Sequence, residues 1–230
     1  DYLLKYTVAK KFFANDQVSQ EDGGIEGDLY DSLVRDVKIR RVAQKFGVNV
    51  SNKEIDSEFE LSRNAWGFRD KNNFPDFLNG YGISEDILKN SVIRPQLFLK
   101  NLKIWHSAKP ELNKEAHAQA EDLYNRIENG EDMASLAKAY TQDESGRLVW
   151  GDLGFVNSTE LLAEIREGVE NAKIGERKII FSRYGIHIIQ LEEKNKNLLR
   201  LRQIFIADNK FENWLNEEFK KIKIYKFINF

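Results

Sequence analysis

The tightest constraint on this chain is a pair of short apolar stretches about thirty residues apart. Gly151-Asp152-Leu153-Gly154-Phe155 is a glycine turn that feeds an apolar strand. Tyr184-Gly185-Ile186-His187-Ile188-Ile189-Gln190-Leu191 is a strand with one histidine inside it. At the two-residue period of a strand, His187 shares a face with Ile189 and Leu191. Residues 177–181 form a partner strand, joined to it by a turn at 182–185, and a last strand over 199–206 follows a charged Glu-Lys-Asn linker. Helical spacing fills the remainder of this region. Ala116, Ala120, Leu123 and Ile127 line one helix that stops at Asn129-Gly130. Asp132 caps a short helix with Met133, Leu136, Ala137 and Tyr140 facing inward, and Leu162, Ile165, Val169 and Ala172 make a third stripe. Residues 141–149 read as a polar loop.

The N-terminal part is helical. Leu29, Leu33, Val37, Val42, Ala43 and Phe46 recur at helical spacing up to Gly47. Ser51 with Glu54 three residues on is a capping-box signature before Ile55 and Phe59. Residues 66–81, rich in Asn, Gly and aromatics, read as a loop-rich connection. Ser84 caps a helix carrying Ile87, Leu88, Ser91 and Val92, which Pro95 is expected to kink or break. After residue 206, Phe211, Trp214, Leu215 and Phe219 predict a last helix, and the alternating run from Ile222 predicts an edge strand or tail. The expected division is a helical region at 1–112, an α/β domain at 113–206, and a helix and tail at 207–230 that pack with the N-terminal region.

Composition narrows the function classes. A net charge of −2, with basic residues interleaved among acidic ones, argues against a nucleic-acid partner. The chain has no Cys, which excludes disulfides, thiolate metal sites and a Cys nucleophile. His106 and His117 with Glu121 lack a third ligand at a familiar spacing, so no metal is expected. The glycines of the 151–154 stretch are not followed by the residues of a phosphate loop.

The order of helix, short helix, Gly-Asp-Leu-Gly-Phe strand, helix, Ile174-Gly175-Glu176 turn, strand and Gly-Ile-His strand resembles that of the parvulin family of peptidyl-prolyl isomerases. Residues 129–143, 151–155, 174–176 and 184–191 carry the likeness, which covers about eighty residues. The flanking helical regions are similar to those of exported foldases of the SurA and PrsA type, with the stretch from Gly47 to Ile55 matching best. The resemblance implies an α+β fold: a small antiparallel sheet with surrounding helices, plus an α-helical chaperone-like region. It also implies prolyl isomerisation without a cofactor, and clients that are unfolded or Pro-containing polypeptides. The implied location is extracytoplasmic, periplasmic or at the cell surface. Membrane contact is expected only through an anchor upstream of Asp1.

Carried over residue by residue, His187 matches the family's strand histidine and Asp143 its Cys or Asp position. The other histidine position has two candidates. His106 lies where the family's opening strand normally stands, whereas Gln203 lies in residues 200–206, which look like that opening strand placed last; the second reading is preferred. Gln203 can hydrogen-bond to His187 but cannot ionise. Leu161 and Ile165 match the apolar wall, and Tyr184 and Phe155 complete the substrate-binding set. Read alone, His187 is a core residue, Asp143 a turn or cap residue, and Leu161 with Ile165 helix core. Three functions stay open: an isomerase and foldase, a catalytically inactive parvulin-fold chaperone that binds unfolded chains, and an envelope adaptor with one tight partner.

Overall fold

The computed structural model describes residues 22–68, 73–80 and 82–223, with side chains from Tyr30 onward. It divides into two compact units. One comprises Asp1–Leu102 with Glu217–Phe230, the other Lys103–Asn216.

The first unit is helical: α1 (Asp22–Lys45), α2 (Asn52–Ala65), α3 (Asn73–Gly80), α4 (Glu85–Leu88), a π-helical segment (Lys89–Ile93) and α5 (Arg94–Ser107), whose residues from Lys103 onward belong to the second unit. The capping box forms as the sequence predicts. Ser51 Oγ accepts from Glu54 N at 3.2 Å, and Ser51 N donates back to Glu54 Oε2 at 2.8 Å. The core joins Ile55, Phe59, Phe74, Leu78, Ile83, Leu88, Ile93 and Leu97.

Two expectations are corrected here. The 66–81 connection contains helix α3, because Phe74, Phe77 and Leu78 form an apolar stripe at i, i+3 and i+4; Phe74 and Leu78 are buried, and Phe77 packs on the same core. Pro95 does not break its helix. The preceding π segment widens the turn, with Arg94 N donating to Lys89 O, and the chain then continues as α5. Widening relieves the clash between a proline ring and the carbonyl four residues earlier. Of the predicted C-terminal edge strand or tail, residues 224–230 lie outside the described residues.

The second unit holds α6 (Lys114–Glu128), α7 (Met133–Tyr140), α8 (Glu144–Leu148), β1 (Asp152–Asn157), a 3-10 turn (Ser158–Glu160), α9 (Ala163–Val169), β2 (Arg177–Ser182), β3 (Gly185–Asn195), β4 (Leu198–Ala207) and the start of α10 (Phe211–Lys220). All strand pairs are antiparallel, in the order β1-β4-β3-β2. The strand that comes last in sequence is therefore central. One sheet face, with Ile186, Ile188, Ile204 and Ile206, packs on Ala116, Ala120, Leu123 and Ile127 of α6 and on α7. The opposite face, with Ile180, Ile189, Leu191 and Leu201, packs on Ile165 and Val169 of α9. Burying each of these isoleucines and leucines stabilises the fold by about 1.5–3 kcal/mol.

Smaller expectations also change. The 141–149 loop contains α8, capped by Asp143. Tyr140 faces outward, where the Arg126 guanidinium lies 5.2 Å from its ring centre. The charged linker is a tight hairpin: β3 runs to Asn195 and β4 starts at Leu198, with Lys196 at φ 52°. Its charges pair across strands, Glu192 with Arg202 at 2.6 Å and Glu193 with Arg200 at 3.1 Å.

Two glycines let backbone reach β4. Gly151 (φ 76°) brings its carbonyl to Gln203 N at 2.8 Å, and a Cβ there would lie 2.4 Å from Gln203 O. At Gly185 (φ 148°) a Cβ would lie 2.2 Å from Ile206 O. Both the angle and the space exclude a side chain. Gly185→Ala is expected to destabilise the fold by about 2 kcal/mol or more. The check is the urea midpoint at constant m-value; an unchanged midpoint contradicts the close approach.

Candidate active site

The β2–β3 hairpin and β4 build the site from one sheet face. His187 stands opposite Ile180 on β2 and Phe205 on β4, and Gln203 stands opposite Ile189. Period two therefore puts His187, Gln203, Phe205, Ile180 and Ser182 on the same face as the α9 core. The apolar side chains fill that face toward α9, and its polar end is occupied by one hydrogen-bonded line.

His187 is the centre of that line, with 4% of its surface exposed. Its Nδ1–H donates to Gln203 Oε1 at 3.0 Å, and its Nε2 accepts from Ser182 Oγ at 2.7 Å. The Ser182 hydroxyl, in turn, accepts from Tyr184 N at 3.1 Å. A neutral imidazole with the proton on Nδ1 satisfies every link. Burial pushes the His187 pKa below its ordinary value, against a smaller upward pull from the Gln203 hydrogen bond and the Glu164 carboxylate. The Phe205 ring lies 4.9 Å from the imidazole, centre to centre.

The remaining candidates fall in different places. Gln203, not His106, is the neighbour of His187. His106 lies on α5, fully buried, with its Nδ1 2.5 Å from Asp208 Oδ2. Asp143 lies just beyond the point where residues 141–142 dock on β4. There Gln142 N donates to Phe205 O at 2.8 Å and Phe205 N donates to Thr141 Oγ1 at 3.0 Å. The Asp143 carboxylate caps α8, accepting from Ser145 N at 3.2 Å and from Ser145 Oγ at 2.7 Å. Ile165 is buried in the α9 cluster, and Leu161, just ahead of the helix, packs against the same cluster. Tyr184 and Phe155 are the exposed members, at 54% and 52%.

Ser182 and Phe205 were not among the residues singled out from sequence. A signal for each exists. Ser182 is the hydroxyl residue that ends β2 before the Arg183-Tyr184 turn, and Phe205 is two residues from Gln203 on the same strand face.

A sheet with its last strand central, carrying a neutral strand histidine between a hydroxyl and an amide, fits a prolyl isomerase of the parvulin class. Residues 95–195 match the family model described as the PPIC-type PPIASE domain. The chain is 31% identical over 150 residues to a protein named Chaperone SurA from Pseudomonas putida, a match covering 59% of this chain and 33% of that protein. It is 24% identical over 203 residues to Foldase protein PrsA from Geobacillus kaustophilus, covering 82% of this chain and 68% of the relative. A crystal structure of peptidylprolyl isomerase (PrsA) from Bacillus anthracis aligns over 84% of this chain at 19% identity, with a TM-score of 0.31. The chain thus spans one third of its SurA relative and about two thirds of its PrsA relative. Gln203 and Phe205 lie beyond the end of the matched family segment.

The depressed His187 pKa has a consequence for stability. The unfolded chain takes up a proton on this residue below pH about 6.5, whereas the native imidazole resists it. The contribution of His187 to stability is therefore complete above that pH and declines as the pH falls toward the native pKa. Wild type is expected to lose more stability than His187→Leu between pH 7 and pH 5 in urea melts. Equal losses would contradict a buried neutral imidazole.

Proposed function

We propose that this chain is a peptidyl-prolyl cis–trans isomerase that acts as a foldase on exported, unfolded, Pro-containing polypeptides. The observation that carries the reading is the Ser182–His187–Gln203 line, whose serine and histidine lie in the segment that matches the PPIC-type model. The names of the PrsA and SurA relatives, a foldase and a chaperone, support the foldase role, and an extracytoplasmic location is proposed with it. Among the described residues no helix is long and apolar enough to cross a membrane. The proposed domain division is 1–112, 113–206 and 207–230. Pairing of Lys45 with Glu218 at 2.5 Å supports packing of the C-terminal segment with the N-terminal region.

The chemistry asked of the site is modest. The barrier is lost amide resonance, ~18–20 kcal/mol, and each tenfold in rate requires about 1.4 kcal/mol of preference for the twisted amide. Both His187 nitrogens are held by protein groups, so the imidazole acts as a fixed, dry floor and transfers no proton. Gln203, with its Oε1 tied to His187, presents its amide N–H groups to the rotating carbonyl. Leu161 and Ile165 provide an aliphatic wall for the proline ring, Tyr184 and Phe155 an exposed rim, and Asp143 fixes the loop beside Phe205. Leu148, Val149 and Trp150 are exposed side by side just ahead of Gly151 and extend the apolar surface available to a client.

One observation favours a second reading. Gln203 cannot ionise, and an inactive parvulin-fold chaperone would keep the same hydrogen-bonded floor. Exchange NMR of an X-Pro peptide separates the two. Wild type is expected to accelerate exchange, and His187→Ala to lose about tenfold or more. A silent wild type that gains activity as Gln203→His would establish the chaperone reading instead.

A further inference from the structure

A closed circuit of hydrogen bonds surrounds the turn that carries Tyr184, and it runs through the buried His106–Asp208 pair. Ser107 Oγ shares its proton between Ile104 O at 3.0 Å and Ser182 O at 2.9 Å. The next-door residue, His106, donates from Nδ1 to Asp208 Oδ2 at 2.5 Å. Asp208 N donates to Tyr184 O at 2.9 Å, and Tyr184 N returns to Ser182 Oγ at 3.1 Å. The carbonyls on both sides of Arg183 are thus held from outside the sheet, by Ser107 and by Asp208, and Asp208 is bonded to His106, the chain neighbour of Ser107. Further contacts fix the pair itself. Asn113 Nδ2 donates to Asp208 Oδ1 at 3.1 Å, His117 Nε2 donates to Ser107 O at 2.8 Å, and the His106 ring lies 5.4 Å from Phe211 and 4.9 Å from Trp214, centre to centre.

We infer that His106 and Asp208 are positioning residues for the site. By clamping the hairpin turn they set where the Ser182 hydroxyl stands, and through it the tautomer and orientation of His187. Several features point beyond plain scaffolding. His106 is fully buried, yet its Nε2 has no hydrogen-bond partner among the described residues. An unpaired buried polar atom is costly, and an apolar residue would pack there without that cost. What the histidine adds is the Nδ1 donor to Asp208. Asp208 begins the turn from β4 into α10, so the clamp links the ends of α5 and β4 to the one turn that touches the His187 network. The catalytic part of this inference rests on the isomerase reading, while its structural part does not.

The test uses the full chain with 15N-labelled histidine. His106→Leu removes the donor at similar volume. His106→Asn puts an amide N–H close to where Nδ1 stood. In wild type His187 should show the signature of a single Nδ1–H tautomer. In folded His106→Leu its ring resonances should move toward a tautomer mixture, and X-Pro peptide catalysis should fall about ten- to hundredfold, as for a misplaced catalytic floor; His106→Asn should keep the wild-type signature and rate. A folded His106→Leu with His187 resonances unchanged overturns the inference, and so does a His106→Asn that behaves like His106→Leu. Should His106→Leu not fold, Ser107→Ala, which deletes only the hydroxyl that reaches Ser182, decides by the same resonances. A wild type without catalysis removes the isomerase reading, and the His187 resonances then decide the positioning role alone.

Discussion

The second unit depends on one insertion: the last strand in sequence occupies the middle of the sheet. β4 has β1 on one side and β3 on the other, so neither of these two strands has its full set of backbone partners until β4 is in place. At Gly151 and Gly185 the neighbouring backbone leaves no room for a Cβ against β4. Residues 141–142 satisfy the rest of its edge with hydrogen bonds to Phe205 and Ala207. One strand thus supplies core residues to both faces and, at its polar end, the amide that holds His187.

Hydrogen bonding within the site favours a passive imidazole. A serine hydroxyl and a glutamine carbonyl oxygen hold the His187 ring from both sides, and burial lowers its pKa. It provides shape and a defined dipole. Isomerisation, which makes and breaks no covalent bond, asks for little more than that from a pocket floor. The Gln203 position thereby loses proton sharing and keeps geometry.

Much of this was legible in the sequence because the signals were local. The capping residues Ser51, Ser84 and Asp132 each accept the backbone hydrogen bonds their spacing implies. The two-residue period of residues 186–191 placed His187, Ile189 and Leu191 on one face, and the choice of Gln203 over His106 as the neighbour of His187 agrees with the geometry. The reading ran short where composition masked pattern. Asn and Gly around Phe74, Phe77 and Leu78 hid helix α3, and the polar residues after Asp143 hid one turn of helix. Ser182 ends its strand on the face of Ile180, but its importance lies in a contact with a residue across the hairpin. The His106–Asp208 pair spans 102 residues of sequence, which no local pattern can reveal.

The position of β4 also fixes an order of events. A chain that emerges N-terminus first presents α6, α7 and the β2–β3 hairpin before residues 198–207 exist. Until then His187 has no amide beside it, and the slot between β1 and β3 is open. The site is therefore completed only when nearly all of the described chain has been made, and a chain truncated before residue 198 lacks the central strand as well as Gln203.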